Sequence, residues 1–507
     1  MSETYEALGP IESDEVCRRQ SGGGRRSSFV LVGSLLEAQE KSQTPQSSAA
    51  SDVQKAENTL PPLVLRSLSD YLKSRDVVTA VWDIHCVSVP HDLGAPRFPA
   101  ETAARVLALS PDIVGLSFAC WDWEAQISLA TELRALRPNL RIIAGGHAAE
   151  ALGIELLDLT PAIDVVALTE GEIILERLLL TDWDCLKEFP WTAWRDADGI
   201  AYENLGRPPV LAPELLPMPG NSLLYPASRY CEVEFSRGCF GTCAYCRWSR
   251  AQDLRRTLRY APANRIASAL AVMRESGIRK ILIVDASVNY TREQCEALVT
   301  AADLADPGKT LSFAYNIHAN HFDDEHAIML STLRTIHVGI GMDTLNPHAA
   351  RLAGRRCMSL AEARQKIRRA ASVGPVAIQM ILGLPGDDLA AFLRTFRTVM
   401  SAFDLVGEEL VRSIDIFWLA VPRGSRYWQE RESLGVQVRT AGVPFVVRTR
   451  EMSEEDFKRA IDHIQSHPLA DRCTIWGPPD VLPNMATPLF AYQRRKSCLS
   501  TVGVRQR

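Results

Sequence analysis

The feature that most constrains this chain is an alternation, run through twice, of short apolar strands and segments with helical spacing. Strands without polar alternation belong to parallel sheets covered by helices on both faces. The first series of strands reads "SSFVLVGSLL", "VVTAVWDI", "DIVGLSFA", "RIIAGGH" and "AIDVVALT". Between them "PPLVLRSLSDYLKSR", "AETAARVLAL", "EAQISLATELRALR" and "AAEALGIELLDL" carry helical periodicity. This predicts an α/β, doubly wound (Rossmann-like) domain over residues 28–180, with ligands held beyond the carboxyl ends of its strands. Those ends carry Trp121 to Trp123, Gly145 to His147 and Glu170 to Glu172.

A proline-rich connector, residues 181–229, leads to "CEVEFSRG", "KILIVDAS", "TLSFAYNI", "TIHVGIGMD", "VAIQMILGLP" and "SIDIFWLAV", again with helical segments between. Six such units predict a partial (β/α)6 TIM-like barrel over 230–439, its site also at the carboxyl ends of the strands. Residues 440–507 read as a less regular tail. Residues 1–27 and 40–58 are rich in Ser, Gly, Gln and Ala; with few large apolar side chains to offset the entropy of ordering, they are expected to be disordered, the second as a mobile insertion.

Composition narrows the function. With 56 Lys and Arg against 61 Asp and Glu, the net charge is −5, which gives no electrostatic case for a nucleic-acid or lipid partner. No apolar stretch reaches the roughly 20 residues of a spanning helix. The acidic start lacks the pattern of a secretory signal, so a cytoplasmic location is expected. Twelve cysteines in 507 residues are too dilute for a disulfide scaffold and suggest metal binding or chemistry.

Three of those cysteines, Cys239, Cys243 and Cys246, lie within "FSRGCFGTCAYCRW", directly after the first barrel strand. Such spacing lets thiolates converge on one inorganic centre. Cys231 lies eight residues upstream, more than ~20 Å away if extended, and is a poor fourth ligand. Three thiolates on a four-iron cluster leave one iron open for reaction; a structural zinc site is the alternative. Alternation along "CEVEFSRG" puts Glu232 and Glu234 on one face. Glu234 could point into the barrel as a catalytic group or form a salt bridge, and Arg237 and Arg247 could balance the thiolates.

CxxxCxxC at the end of the first strand of a partial barrel resembles the radical S-adenosylmethionine superfamily, and the preceding α/β domain resembles its subclass with an N-terminal cobalamin-binding domain. The resemblance implies a [4Fe-4S] cluster on Cys239, Cys243 and Cys246 whose open iron chelates S-adenosylmethionine. It carries Tyr245 toward the adenine, Asp285 and the strand Gly339, Gly341 and Asp343 toward the methionine and ribose, and Gly383 to the fifth-strand loop. For cobalamin it implies Ser117 at the nucleotide tail, backbone approach at Gly145, Gly146, Glu170 and Gly171, and Trp121 or Trp123 over the lower corrin face. The DxHxxG motif of many cobalamin domains is missing: "DIHCVS" has Ser88 where glycine is needed. No histidine is therefore expected on cobalt.

The activity so implied is a radical methyltransferase at an unactivated carbon of a natural-product or peptide substrate, served by a reductant such as flavodoxin or ferredoxin. Alternatives within the resemblance are ring rearrangement, cyclisation or methylation at phosphorus, or a different N-terminal domain. Outside enzymology, the alternative is a cofactor-sensing protein with a structural cluster.

Overall fold

The computed structural model describes residues 26–36, 62–91, 95–181, 183–196, 198–205, 210–219, 230–249, 258–439 and 441–478. The two segments expected to be loose fall outside these, apart from residues 26 and 27.

The first sheet holds β1 (Ser27–Leu36), β2 (Trp82–His91), β3 (Ile113–Ser117), β4 (Arg141–Gly145), β5 (Val165–Ala167), β6 (Thr192–Arg195) and β7 (Ala201–Asn204). Its order is β2-β1-β3-β4-β5-β6-β7. The first five run parallel, and the last two extend the edge antiparallel from within the region read as connector. The order reverses between β1 and β3, the kind of switch point at which doubly wound sheets bind ligands. Two local expectations change. The start of "VVTAVWDI" is a helical turn, Asp76–Thr79, and the strand begins at Trp82, because a short apolar run does not distinguish the two conformations. "AAEALGIELLDL" is two helices, His147–Leu152 and Ile154–Leu159, divided at Gly153 with φ 57°. His85 lies inside β2.

The second domain opens with β8 (Tyr230–Val233), followed by a small ribbon of β9 (Ser236–Arg237) and β10 (Arg259–Tyr260). Then come β11 (Lys280–Ile283), β12 (Ser312–Ile317), β13 (Thr335–Asp343), β14 (Val376–Leu382) and β15 (Val411–Trp418). A second ribbon, β16 (Gln437–Val438) with β17 (Val446–Arg448), precedes β18 (Cys473–Trp476). The large sheet, β18-β15-β14-β13-β12-β11-β8, is parallel throughout and open, because β8 and β18 are its edges. All six expected strands are present. The seventh, β18, comes from the region read as tail, where four residues are too few to show a period.

One apolar core runs from Phe29, Leu31 and Leu65 of the first domain through Val233 and Ile281 to Phe457 of the second. A separate core covers the other face of the first sheet. Arg66, buried on the helix Leu63–Lys73, crosses the junction to donate to the Glu232 carbonyl at 3.1 Å. The two domains therefore share their packing, and the carboxyl ends of their sheets meet. Among the described residues no helix is long and apolar enough to cross a membrane.

Candidate active site

The cysteine loop leaves the end of β9 through Gly238 and is held by the barrel on both sides. Ala244 donates its N–H to the Ala353 carbonyl and accepts from Tyr427 N–H, each at 2.9 Å, while Thr242 Oγ1 donates to the Gly354 carbonyl at 2.7 Å. Cys239 and Cys243 are buried and Cys246 is partly so. A Cβ added to Gly241 would stand 3.1 Å from Cys239 Sγ and 3.5 Å from Cys243 Sγ, so these sulfurs converge over bare backbone. Among the described residues no three His, Cys, Asp or Glu side chains close on a single-ion position. A four-iron cluster takes each thiolate on a different iron, so it does not require the three sulfurs to meet at one point.

The groups around the thiols were not legible in the motif. Tyr290 Oη lies 2.8 Å from Cys239 Sγ, and Arg355 Nη1 donates to Cys243 Sγ at 3.4 Å. Arg355 Nε also pairs with Asp343 Oδ2 at 2.6 Å, which accepts from Tyr245 Oη at 2.9 Å. Arg355 thus joins two expected site residues, Tyr245 and Asp343, to the cysteine loop. Burial raises the Cys243 thiol above its ordinary range, while Arg355 works against that rise. Burial, then Arg355, brings the nearby His318 imidazole down to about 3, so it is neutral.

A cavity of about 380 Å³ opens where the sheet ends meet. From the first domain it is lined by Leu31, Gly115, Ser117, Trp121, Gly145, Gly146 and Gly171, among others. From the second come Glu234, Arg237, Gly238, Trp248 and Arg259. Gly238 adjoins Cys239, so the cysteine loop is part of the cavity wall. Gly146 has φ 91°, and a Cβ there would lie 2.6 Å from the Phe118 carbonyl oxygen; only glycine keeps this turn and leaves backbone exposed. Trp121 is anchored by its indole N–H to Ser34 Oγ at 3.2 Å. Trp123 does not line the cavity; its ring lies 5.8 Å from the Arg423 guanidinium of the second domain.

Ion pairs form one wall. Arg237 meets Glu172 at 2.6 Å, Glu234 at 2.7 Å and Glu170 at 3.5 Å, and Arg259 pairs with Glu170. Burial alone would raise the Glu170 carboxyl, but Arg237 and Arg259 bring it down to about 2. Burial raises Glu234 despite Arg237. Arg247 reaches Glu150 at 3.1 Å, with both side chains almost wholly buried. Arg237 and Arg247 thus reach carboxylates of the first domain, Arg237 holding Glu234 of its own domain as well, and the cation beside a thiol of the motif is Arg355.

The remaining expected residues are spread along the barrel. Asp285, at the end of β11, accepts from Phe235 N–H at 2.8 Å and Ser236 Oγ at 2.6 Å, bracing the strand that leads to the cysteines. Burial raises its carboxyl to about 7. Gly339 and Gly341 lie on β13, the first against Asn316 and the second near Arg355 and Asp343. Gly383, with φ 92°, faces Phe457 so closely that a Cβ would lie 2.5 Å from the ring. Its setting is packing.

The comparisons agree with this geometry. Residues 51–179 match the B12 binding domain model and residues 233–399 the radical SAM superfamily model. The chain thus carries a B12-binding domain followed by a radical S-adenosylmethionine domain. A [4Fe-4S] cluster, S-adenosylmethionine and cobalamin are the cofactors these domains bring. A cobalamin-dependent radical SAM methyltransferase, TokK from Streptomyces tokunonensis, is 26% identical over 359 residues, 65% of this chain and 50% of that protein. The 2-(S-pantetheinyl)-carbapenam-3-carboxylate methyltransferase of Streptantibioticus cattleyicolor is 24% identical over 43% of this chain and 34% of its own. The chain thus spans half or less of these curated relatives. Among solved structures, the radical S-adenosylmethionine methyltransferase TsrM from Kitasatospora setae superposes with TM-score 0.60 at 15% identity, over 86% of this chain and 83% of that one. The cobalamin-dependent radical enzyme OxsB gives 0.62 at 13% identity, over 94% and 71%. Both share the fold.

Proposed function

We propose that this protein is a cobalamin-dependent radical S-adenosylmethionine methyltransferase that alkylates an unactivated carbon of a small-molecule or peptide substrate. The observation that carries the reading is the shared wall: Gly238, next to the first cluster cysteine, lines the same cavity as Ser117, Gly145 and Gly146. When bound, the cluster supplies an electron that opens S-adenosylmethionine to a carbon radical, and cobalamin carries the methyl group.

The chain's own residues hold and exclude. Cys239, Cys243 and Cys246 ligate iron. Arg355 offsets thiolate charge, and Tyr245 and Asp343 border the face where S-adenosylmethionine docks. Ser117, Gly145, Gly146, Glu170 and Gly171 would hold the cobalamin through backbone and carboxylate, and Trp121 would cover it from the same cavity wall. Glu234 and Arg237 close the wall between the cofactors and keep water from it. The names of the methyltransferase relatives favour a natural-product substrate, and a cytoplasmic flavodoxin or ferredoxin suits the need for single electrons.

The test is anaerobic reconstitution with iron, sulfide and hydroxocobalamin, followed by reduction with methyl-labelled S-adenosylmethionine. The expected outcome is 5′-deoxyadenosine and label on a candidate substrate from the native chain, and neither from Cys239→Ala. Bound cofactors with no S-adenosylmethionine cleavage would contradict the reading and favour a sensing role.

A further inference from the structure

Two arginines bracket the cysteine motif, and each reaches across to the other domain. Arg237, two residues before Cys239, pairs with Glu170 and Glu172 at the start of the helix Gly171–Leu180 that follows β5. Arg247, directly after Cys246, pairs with Glu150 on the helix His147–Leu152 that follows β4. Glu150, Glu170 and Glu172 all line the cavity. The cysteine loop is therefore tied at both ends to the two loops that would face a ligand in that cavity.

The ties are buried, which separates them from ordinary surface pairs. Side-chain exposure is 5% for Arg247 and 4% for Glu150, and 14% for Arg237 and 3% for Glu172. Desolvating charges is costly, and the best-attested use of such pairs is to fix one register of the parts they join. The fold also makes room for one of them. Gly424, with φ 76°, lies where any side chain would collide with the Arg247 guanidinium.

We infer that Arg237 and Arg247 are positioning residues that lock the cysteine loop to the cavity loops, so that filling the cavity and forming the cluster favour one another. A ligand that orders residues 145–150 and 169–172 orders the two ends of the loop that Cys239 and Cys246 terminate. By linkage, assembling the cluster must then tighten the cavity's ligand by the same factor. The inference rests on the cofactors of the proposed function, and its test keeps the two separable.

The experiment titrates hydroxocobalamin into the full chain by absorbance, once with the cluster reconstituted and once after iron removal by a chelator. The native chain should bind at least about tenfold more tightly with the cluster present, a coupling within the usual allosteric range. In the doubly isosteric variant Glu150→Gln, Glu172→Gln, which leaves Arg237 only its longer pair with Glu170 across the junction, that ratio should fall at least about threefold while both cofactors still bind at saturation. Should that variant fail to show a cooperative melt, Arg247→Lys, which exchanges the planar guanidinium for an ammonium, is expected to lower the ratio in the same direction. A general loss of stability would raise the ratio instead, because each cofactor would then also draw the chain toward its folded state. A native ratio of one, or a variant that keeps the native ratio, overturns the inference. A chain that binds neither cobalamin nor iron would instead refute the proposed function.

Discussion

At the carboxyl end of the first sheet the chain offers backbone and small side chains: Ser117, Gly145, Gly146 and Gly171 beside Leu31 and Ala167. At the carboxyl end of the second it offers thiols, a guanidinium, a phenol and an imidazole within hydrogen-bonding reach of one another. The first surface can grip a large ligand by shape, with many weak contacts that are lost one at a time. The second, on the proposed reading, would hold a small inorganic centre through three thiolates. Between them lies a charged seam of Arg237, Arg247, Arg259 and the Glu150, Glu170, Glu172 and Glu234 carboxylates, which belongs to both. The difference teaches that damage should be graded on one side and complete on the other.

Substitution of any cluster cysteine is the harshest probe of that contrast. Cys243→Ala should reduce bound iron to background and lower 5′-deoxyadenosine formation by more than about a thousandfold, since the two thiolates left would not secure the cluster. Retained cleavage would break the comparison. A second probe is pH. The folded Asp285 carboxyl keeps its proton up to about 7, whereas an unfolded one releases it at an ordinary value of about 3.9. Between these values the folded chain binds more protons, so stability falls as pH rises from about 4 to about 7 and is level above. The Asp285 share is on the order of 4 kcal/mol, and Asp285→Asn should flatten that slope in denaturant melts. An unchanged slope would count against the buried brace beneath the cysteine strand.

The backbone side should respond more mildly. Gly146→Ala forces a side chain into positive φ against the Phe118 carbonyl, a strain of about 1–3 kcal/mol. Cobalamin affinity should drop by roughly ten- to a hundredfold with cluster content intact, read by absorbance titration and iron counting. Smallest is Arg355→Gln. Removing a cation 3.4 Å from Cys243 Sγ disfavours the added electron. The cluster potential should move negative by roughly 60 mV, the tenfold step for one electron. A positive shift would show that Arg355 does not act through charge.

Strands β1 to β5 and the six expected in the barrel were readable in the sequence because each is a local apolar run, and the cysteine motif was readable because its spacing is local too. What escaped depends on residues far apart in the chain. Arg355 reaches a thiol 112 positions away, and the only signal was its place after a barrel strand whose loop must converge on the same end. Alternation along "CEVEFSRG" raised the salt-bridge alternative for Glu234, but not that Arg237 would gather two further glutamates from the other domain. Trp121 and Trp123 look equivalent in "CWDWE", yet one lines the cavity and the other faces Arg423, because a helix begins at the second. The seventh strand, β18, is too short to announce itself without its partner β15.

On the proposed reading, cobalamin and the iron–sulfur cluster face one cavity, with the cysteine loop in its wall. Electron paramagnetic resonance of the fully reconstituted chain, reduced so that cob(II)alamin and the one-electron-reduced cluster coexist, tests it most directly. The account predicts that the cobalt signal relaxes faster and broadens when the cluster is paramagnetic, and that this vanishes in Cys239→Ala. Two full-strength signals that do not influence each other would contradict it.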